Sequence, residues 1–182
     1  MKDFKFVFLI ITLIAFQSCT PDEGTPRPTS GENSFTAKIN GEQFIAVDIW
    51  KFKRIDHGIT AYENGKTWLL SFRNSSKTTI YFYLPDIEGV DYYNVGVADD
   101  NLSFFDNRDT QTSVLMANSN SEVIYNSNSP DLNEKITIKE VQGDSIIIGE
   151  FEHITLSNPE NPEDTIIITE GKFNINRATL ND

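Results

Sequence analysis

Apolar and polar residues alternate with a period of two from Ser34 onward, and turn-forming residues interrupt the alternation about every 8 to 12 positions. The first hairpin is the clearest, because Phe35 and Ala37 alternate with polar residues and Asn40-Gly41 supplies a two-residue turn. No window as long as a typical helix carries an amphipathic stripe. The pattern predicts an antiparallel, all-β protein.

The same alternation predicts strands further along the chain. Asn64-Gly65 supplies a second turn, Pro85 ends a strand, and a loop over 158–164 precedes a strand over 165–176. In the less regular stretch 86–129 we expect strands near 92–97, 102–105, 113–117 and 122–125. The residues predicted to share inward faces are Trp68, Leu70, Phe72, Ile80, Phe82, Leu84, Ile147, Gly149, Phe151, Ile167, Thr169, Gly171, Phe173 and Ile175.

About ten short strands joined by tight turns predict one domain over residues 34–182. A sheet with one apolar face must cover that face with another layer, so we expect a β-sandwich or a flattened barrel. Gly149 and Gly171 interrupt two otherwise apolar faces. Glycine inside a strand indicates a bulge or a close contact, which is the prediction for both positions.

The first 18 residues have the pattern of a bacterial lipoprotein signal peptide. Two lysines precede an apolar run over residues 6–16, and Cys19 follows Ser18. The run is shorter than the roughly 20 residues that span a bilayer. The stretch resembles a lipobox, although Phe16 stands where leucine is usual. We predict acylation of Cys19, with an ordinary secretory signal or a membrane stub as alternatives.

Residues 19–33 are rich in proline and glycine and lack large apolar side chains, so they are predicted to form a disordered tether. Asp22 and Glu23 lie close to Cys19. They resemble the acidic export signal that sends lipoproteins of Bacteroidota-type bacteria to the outer face of the outer membrane. We therefore expect an outer-membrane lipoprotein, on the cell surface in preference to the periplasmic face.

Composition narrows the classes of partner. The formal net charge is −12, and the sequence has no cluster of lysines and arginines of the kind that binds phosphate. We therefore expect no nucleic-acid partner. Cys19 is the single cysteine. Once it carries lipid, the folded part has no thiol for a disulfide, a metal or a nucleophile, and no cofactor is predicted.

Three segments together resemble a family of small Bacteroidota lipoproteins that carry a domain of unknown function. They are the stretch 35–46, Ile-Gly-Glu-Phe at 148–151 and Ile-Thr-Glu-Gly-Lys-Phe at 168–173. The resemblance covers nearly the whole chain after the tether. It implies a β-sandwich-like fold and no catalytic residues.

The sequence offers one candidate acid pair. Glu150 and Glu152 lie two apart on one strand, about 6.6 Å between Cα atoms, a separation found in glycosidases. A solvated strand face explains them more simply. Gly-x-Ser-x-Gly and His-Glu-x-x-His are absent, and Gly143-Asp144-Ser145 is predicted to be a turn and not a nucleophile segment.

Further candidates concern binding and modification. Tyr81 and Tyr83 oppose an apolar strand face and form the predicted exposed aromatic pair for a ligand such as a glycan. Ser145 and Thr165 follow aspartate and precede isoleucine, which resembles the O-glycosylation pattern of exported Bacteroidota proteins. Carboxylates suited to Ca²⁺ crowd one stretch, without EF-hand spacing and with Asx turns as the simpler interpretation: Asp99, Asp100, Asp106 and Asp109.

These observations favour a non-catalytic binding or structural module anchored through Cys19, with a glycan or an envelope protein as partner. An envelope hydrolase acting on glycans through Glu150 and Glu152 is the alternative from another class. A third possibility is an accessory subunit of an outer-membrane uptake complex.

Overall fold

The computed structural model describes residues 33–46, 58–98, 111–121, 123–128 and 133–180. These ranges contain eleven strands and one 3-10 turn, Arg177–Thr179. The strands are β1 (Ser34–Ile39), β2 (Glu42–Ile45), β3 (Ile59–Asn64), β4 (Thr67–Arg73), β5 (Thr78–Leu84), β6 (Tyr92–Asn94), β7 (Ser113–Asn118), β8 (Ile124–Ser127), β9 (Lys135–Gln142), β10 (Ile146–Asn158) and β11 (Asn161–Asn176).

All eleven strands belong to one sheet, whose ladders are antiparallel. Its main order is β2-β1-β11-β10-β8-β7-β5-β4-β3, while β9 pairs with β10 and β6 pairs with β9. One edge of β10 therefore has two neighbours. It pairs with β9 as far as Glu150 and with β8 from Leu156, so the sheet forks between these residues. The prediction of an all-β antiparallel fold is confirmed.

The sheet curls on itself into a half-barrel, because its two ends share one aromatic core. Phe35 on β1 stacks on Phe72 on β4, with ring centroids 4.1 Å apart. Phe82 on β5 lies 5.6 Å from Phe151 on β10 and 6.1 Å from Phe173 on β11, centroid to centroid. The wall built from β1, β10 and β11 is thus packed against the wall built from β4 and β5.

The turn chemistry explains the first two hairpins. Asn40 and Gly41 both have positive φ, 49° and 86°, as a two-residue hairpin turn of this twist requires. In the second hairpin Asn64 pairs with Thr67, so the turn residues are Gly65 and Lys66, with Gly65 at φ 71°. The predicted turn is therefore present, displaced by one residue.

Two glycines and two phenylalanines interlock across β10 and β11. Gly149 lies opposite Phe173 and Phe151 lies opposite Gly171. A Cβ atom on Gly171 would stand 2.0 Å from the Phe151 ring, and one on Gly149 would stand 2.3 Å from the Phe173 ring. Only glycine leaves room for these rings, which confirms the predicted close contact.

A bulge follows at Glu170, which has φ 54° and precedes Gly171. The register between β1 and β11 shifts by one residue there, so Thr36 pairs with Lys172 and Lys38 with Thr169. The bulge reverses the inward face of β11. Ile168 is fully buried and Ile167 is 47% exposed, so the predicted inward positions of Ile167 and Thr169 are wrong.

Other boundaries differ from the pattern. Strand β11 begins at Asn161, so most of the predicted loop 158–164 is strand and the connection contains only Pro159 and Glu160. The predicted strand near 102–105 lies outside the described residues. The inward faces predicted for β4 and for Ile80, Phe82 and Leu84 of β5 are confirmed.

We predict that Gly171→Ala lowers the free energy of unfolding by about 1–3 kcal/mol, because the added methyl group displaces the Phe151 ring. Chemical denaturation monitored by circular dichroism measures the change. Gly89→Ala is the matched control, since a Cβ atom there meets nothing within 4 Å. Equal stability of the two variants would contradict the interlocking of ring and glycine.

Candidate functional site

One row of side chains crosses six neighbouring strands on the face turned away from the core. Successive cross-strand pairs join Ile45 to Thr36, Thr36 to Lys172, Lys172 to Glu150, Glu150 to Thr137 and Thr137 to Tyr92. Directly paired residues project from the same face of a sheet. Five steps of strand spacing give this row, called the outer row below, a length of about 24 Å.

The outer row is polar in the middle and apolar at both ends. Ile45 is 50% exposed and Tyr92 is 58% exposed. The ammonium group of Lys135 lies 4.5 Å from the centre of the Tyr92 ring, a cation–π contact that holds the ring beside β9.

A groove of about 580 Å³ runs beside the outer row, where β10 and β11 bend. Its other side is a second row, in which Gln43, Lys38, Thr169 and His153 are successive cross-strand partners. In β10 both Glu152 and His153 face outward, as Thr169 and Glu170 do in β11. Each of the two strands thus has one additional outward-facing residue between the two rows. These residues are Glu152 and Glu170, and both line the groove.

Ion pairs neutralise part of the groove. Lys38 Nζ lies 2.7 Å from Glu170 Oε1, and Lys139 Nζ lies 2.8 Å from Glu150 Oε1. These side chains are between 38% and 64% exposed, so each pair contributes little to stability and serves mainly to fix the position of its carboxylate.

Glu134 lies next to the groove, where β10 is paired with neither β9 nor β8. Its side chain is 6% exposed, and Oε1 accepts a hydrogen bond of 2.9 Å from the backbone N–H of Thr155, in the part of β10 that neither β9 nor β8 covers. His153 Nε2, on the groove side, is 3.9 Å from the same oxygen. Oε2 is buried and has no hydrogen-bond partner among the described residues. The carboxylate thus replaces a missing strand neighbour.

The structure brings the predicted pair Glu150 and Glu152 into the groove, together with His153 and Glu170. The carboxyl group of Glu150 is 44% exposed and bound to Lys139, and Glu152 is exposed. A general acid of a glycosidase needs burial that neither residue has. The arrangement offers hydrogen-bond acceptors and fixed charge.

The predicted aromatic pair is not an exposed strip. Tyr83 is only 4% exposed and Tyr81 is half-buried, so the expected exposure is wrong for Tyr83. The second face of β5 is covered as well, as the 2% exposure of Leu115 next to Tyr81 shows. Tyr92, which was not predicted as a ligand contact, is the tyrosine with the exposure that was expected of Tyr81 and Tyr83. It lies in a three-residue strand beside Asp91 and Asn94, and a strand this short has too little alternation to predict which side chains are exposed.

The two candidate O-glycosylation residues differ in surroundings. Ser145 is half-buried in the turn between β9 and β10, and its hydroxyl donates to Asp144 Oδ1 at 3.0 Å. Thr165 is exposed within β11, beside Asp164. Asp164 accepts a hydrogen bond from the Tyr125 hydroxyl at 2.9 Å, which raises the pKa of Tyr125. Modification of either residue stays a prediction, with Thr165 the more accessible.

Several predicted residues lie outside the part of the chain that the structure describes. They are Cys19 with the signal peptide and nearly all of the tether, and the carboxylates Asp99, Asp100, Asp106 and Asp109. Within the described ranges, no group of three or more histidines and carboxylates is arranged to hold a metal ion. Those ranges also contain no helix of the length and hydropathy needed to cross a bilayer.

Comparison of the chain with protein-family models, with curated proteins and with solved structures gives no significant match.

We predict that Glu134→Ala destabilises the protein by about 1–3 kcal/mol, because the partly buried N–H of Thr155 loses its acceptor. Glu134→Gln retains an amide oxygen for this bond and should be affected less. Thermal or denaturant unfolding measures both, with the exposed Glu160→Ala as the surface control. If alanine and glutamine were tolerated equally, the carboxylate would not be supporting the fork.

Proposed function

We propose that this protein is a non-catalytic glycan-binding module of the cell envelope, held in the outer membrane by lipid on Cys19. The observation that supports binding is the outer row, which combines an exposed tyrosine ring with a line of hydrogen-bonding side chains beside a groove. Sugars present dense hydroxyl groups and an apolar ring face, and these two surfaces match polar rows and aromatic faces.

The chemistry of the outer row favours a glycan over a protein partner. The centres of protein–protein interfaces are depleted in charged residues and enriched in aromatic and apolar ones. The outer row has the opposite arrangement. The charged residues Lys172 and Glu150 lie in its middle, and the apolar and aromatic residues Ile45 and Tyr92 lie at its ends. A row of about 24 Å also suits an elongated ligand that lies across the strands.

The anchor rests on the sequence of the first 23 residues. The apolar run, Ser18-Cys19 and the acidic pair after it support acylation and export to the surface. Stable anchoring needs two or three acyl chains, since one chain binds membranes only marginally. A flexible chain of about 14 residues has a reach of roughly 20 Å, so such a tether would keep the β-sheet within reach of surface glycans.

A glycan hydrolase is the second candidate, because Glu150, Glu152 and His153 line the same groove. A binding module should bind an oligosaccharide and leave it intact, whereas a hydrolase should release shorter products. If Glu152→Gln abolished such release while binding persisted, the hydrolase would replace the binding module as the proposed function.

We predict that the protein fractionates with the outer membrane and that Cys19→Ala releases it into a soluble fraction or leaves its signal uncleaved. Intact mass of the purified protein checks for diacyl or triacyl addition. Proteinase treatment of whole cells tests surface exposure. Protection of the wild-type protein in intact cells would refute the surface location, while an unmodified Cys19 would refute the anchor.

We predict that Tyr92→Ala weakens glycan binding by about ten-fold, equivalent to about 1.4 kcal/mol, because the exposed ring is lost from one end of the outer row. The full-length protein in detergent is first screened on an oligosaccharide array, and the affinity for the best ligand is then measured by calorimetry.

Tyr62→Ala is the matched control, since Tyr62 is 61% exposed on β3, in another part of the sheet. Equal loss in both variants would indicate a general effect on folding. No loss in either variant would show that the ligand binds elsewhere.

A further inference from the structure

The groove carries an unusual share of the positive charge of an acidic protein. The described ranges contain eight lysines and arginines. Three of them line the groove, Lys38, Lys135 and Lys172, and Lys139 is paired with Glu150 beside it. Three carboxylates line the groove as well, so its charge is locally balanced in a chain whose formal net charge is −12. The groove therefore repels an anion less than the rest of the surface does.

These four cations differ in how they are engaged. Lys38 and Lys139 are each bound to a carboxylate, and Lys135 lies over the ring of Tyr92. Lys172 is exposed and has no carboxylate within 4.0 Å in the ranges that the structure describes. Its direct neighbour Glu150 is turned to Lys139 instead. Lys172 is thus the cation most available to a ligand.

Lys172 is placed where a ligand that lies along the outer row would contact it. It lies third in the outer row, with Thr36 on one side and Glu150 on the other. A saccharide lying along the row therefore places one of its rings at the ammonium group, while Thr36 and Glu150 are in reach of the hydroxyl groups beside it. A carboxylate on that ring would pair with the ammonium group of Lys172.

We propose that the glycan is acidic, a chain of uronic acid units, and that Lys172 binds a sugar carboxylate. This inference rests on the proposed glycan-binding function and names the ligand class for the same groove. The exposed ammonium group acts as a point charge, so it contributes selectivity for the charged form of the sugar more than total affinity.

The test compares oligouronates with their methyl esters, which keep the same backbone and hydroxyl groups and lack the charge. The full-length protein in detergent should bind the free acids about five-fold more tightly than the esters at low ionic strength. The ratio should decline toward one in 1 M salt, because the ammonium group is exposed. Oligomers of several uronic acids, with neutral oligosaccharides of equal length, form the panel.

Variants assign the selectivity to one residue. Lys172→Gln should bring the ratio of acid to ester affinity close to one, because it weakens binding of the free acid more than binding of the ester, whereas Lys172→Arg should retain the preference. Lys77→Gln removes an exposed cation from the turn before β5 and should change nothing.

The possible failures are distinguishable. Equal binding of acids, esters and neutral chains would overturn the acidic ligand and leave the glycan-binding module intact. A preference for acids that survives Lys172→Gln would overturn the assigned residue. Failure of every saccharide in the panel to bind would overturn the proposed function and the inference with it.

Discussion

The close approach of two phenylalanine rings to two glycines in β10 and β11 is the contact on which the rest of the structure depends. Phe151 covers Gly171 and Phe173 covers Gly149, so each strand places a ring over the glycine of the other in two cross-strand pairs that are two residues apart. Both rings then reach Phe82 on the opposite wall. Because the glycines present no side chain, the rings can approach the backbone closely, and the sheet can curl around them instead of staying open.

The same place in the fold creates the groove. Glu170 adopts a left-handed conformation that is usual for glycine in bulges, and it shifts the β1–β11 register by one residue. Two consecutive residues face solvent in each of β10 and β11 at this level, among them Glu152 and His153. A backbone strain of about 1–3 kcal/mol at a non-glycine residue is tolerated there, at a position that lines the groove.

The electrostatics connect the groove with the proposed role. A net charge of −12 repels most anions, whereas the lysines and carboxylates that line the groove balance each other, so an acidic chain is repelled less at this face. Ion pairs hold Glu150 and Glu170 in place as hydrogen-bond acceptors, while Glu134 closes the fork beneath His153. An elongated polymer that crosses several strands would meet Glu150 and Glu170 in turn, which a small compact ligand would not.

Local chemistry determined the strands, the glycine turns and the inward faces of β4 and β5, because period-two alternation and the preference for positive φ at Asn40-Gly41 are properties of neighbouring residues. The pair Glu150 and Glu152 was likewise predictable as outward-facing. Only the tertiary structure decided which strands adjoin, the reversal of faces at Glu170 and the burial of Tyr83. These features depend on residues that are far apart in sequence. The bulge at Glu170, for example, depends on the pairing of β1 with β11. The outer row likewise exists only because six strands are paired in one register.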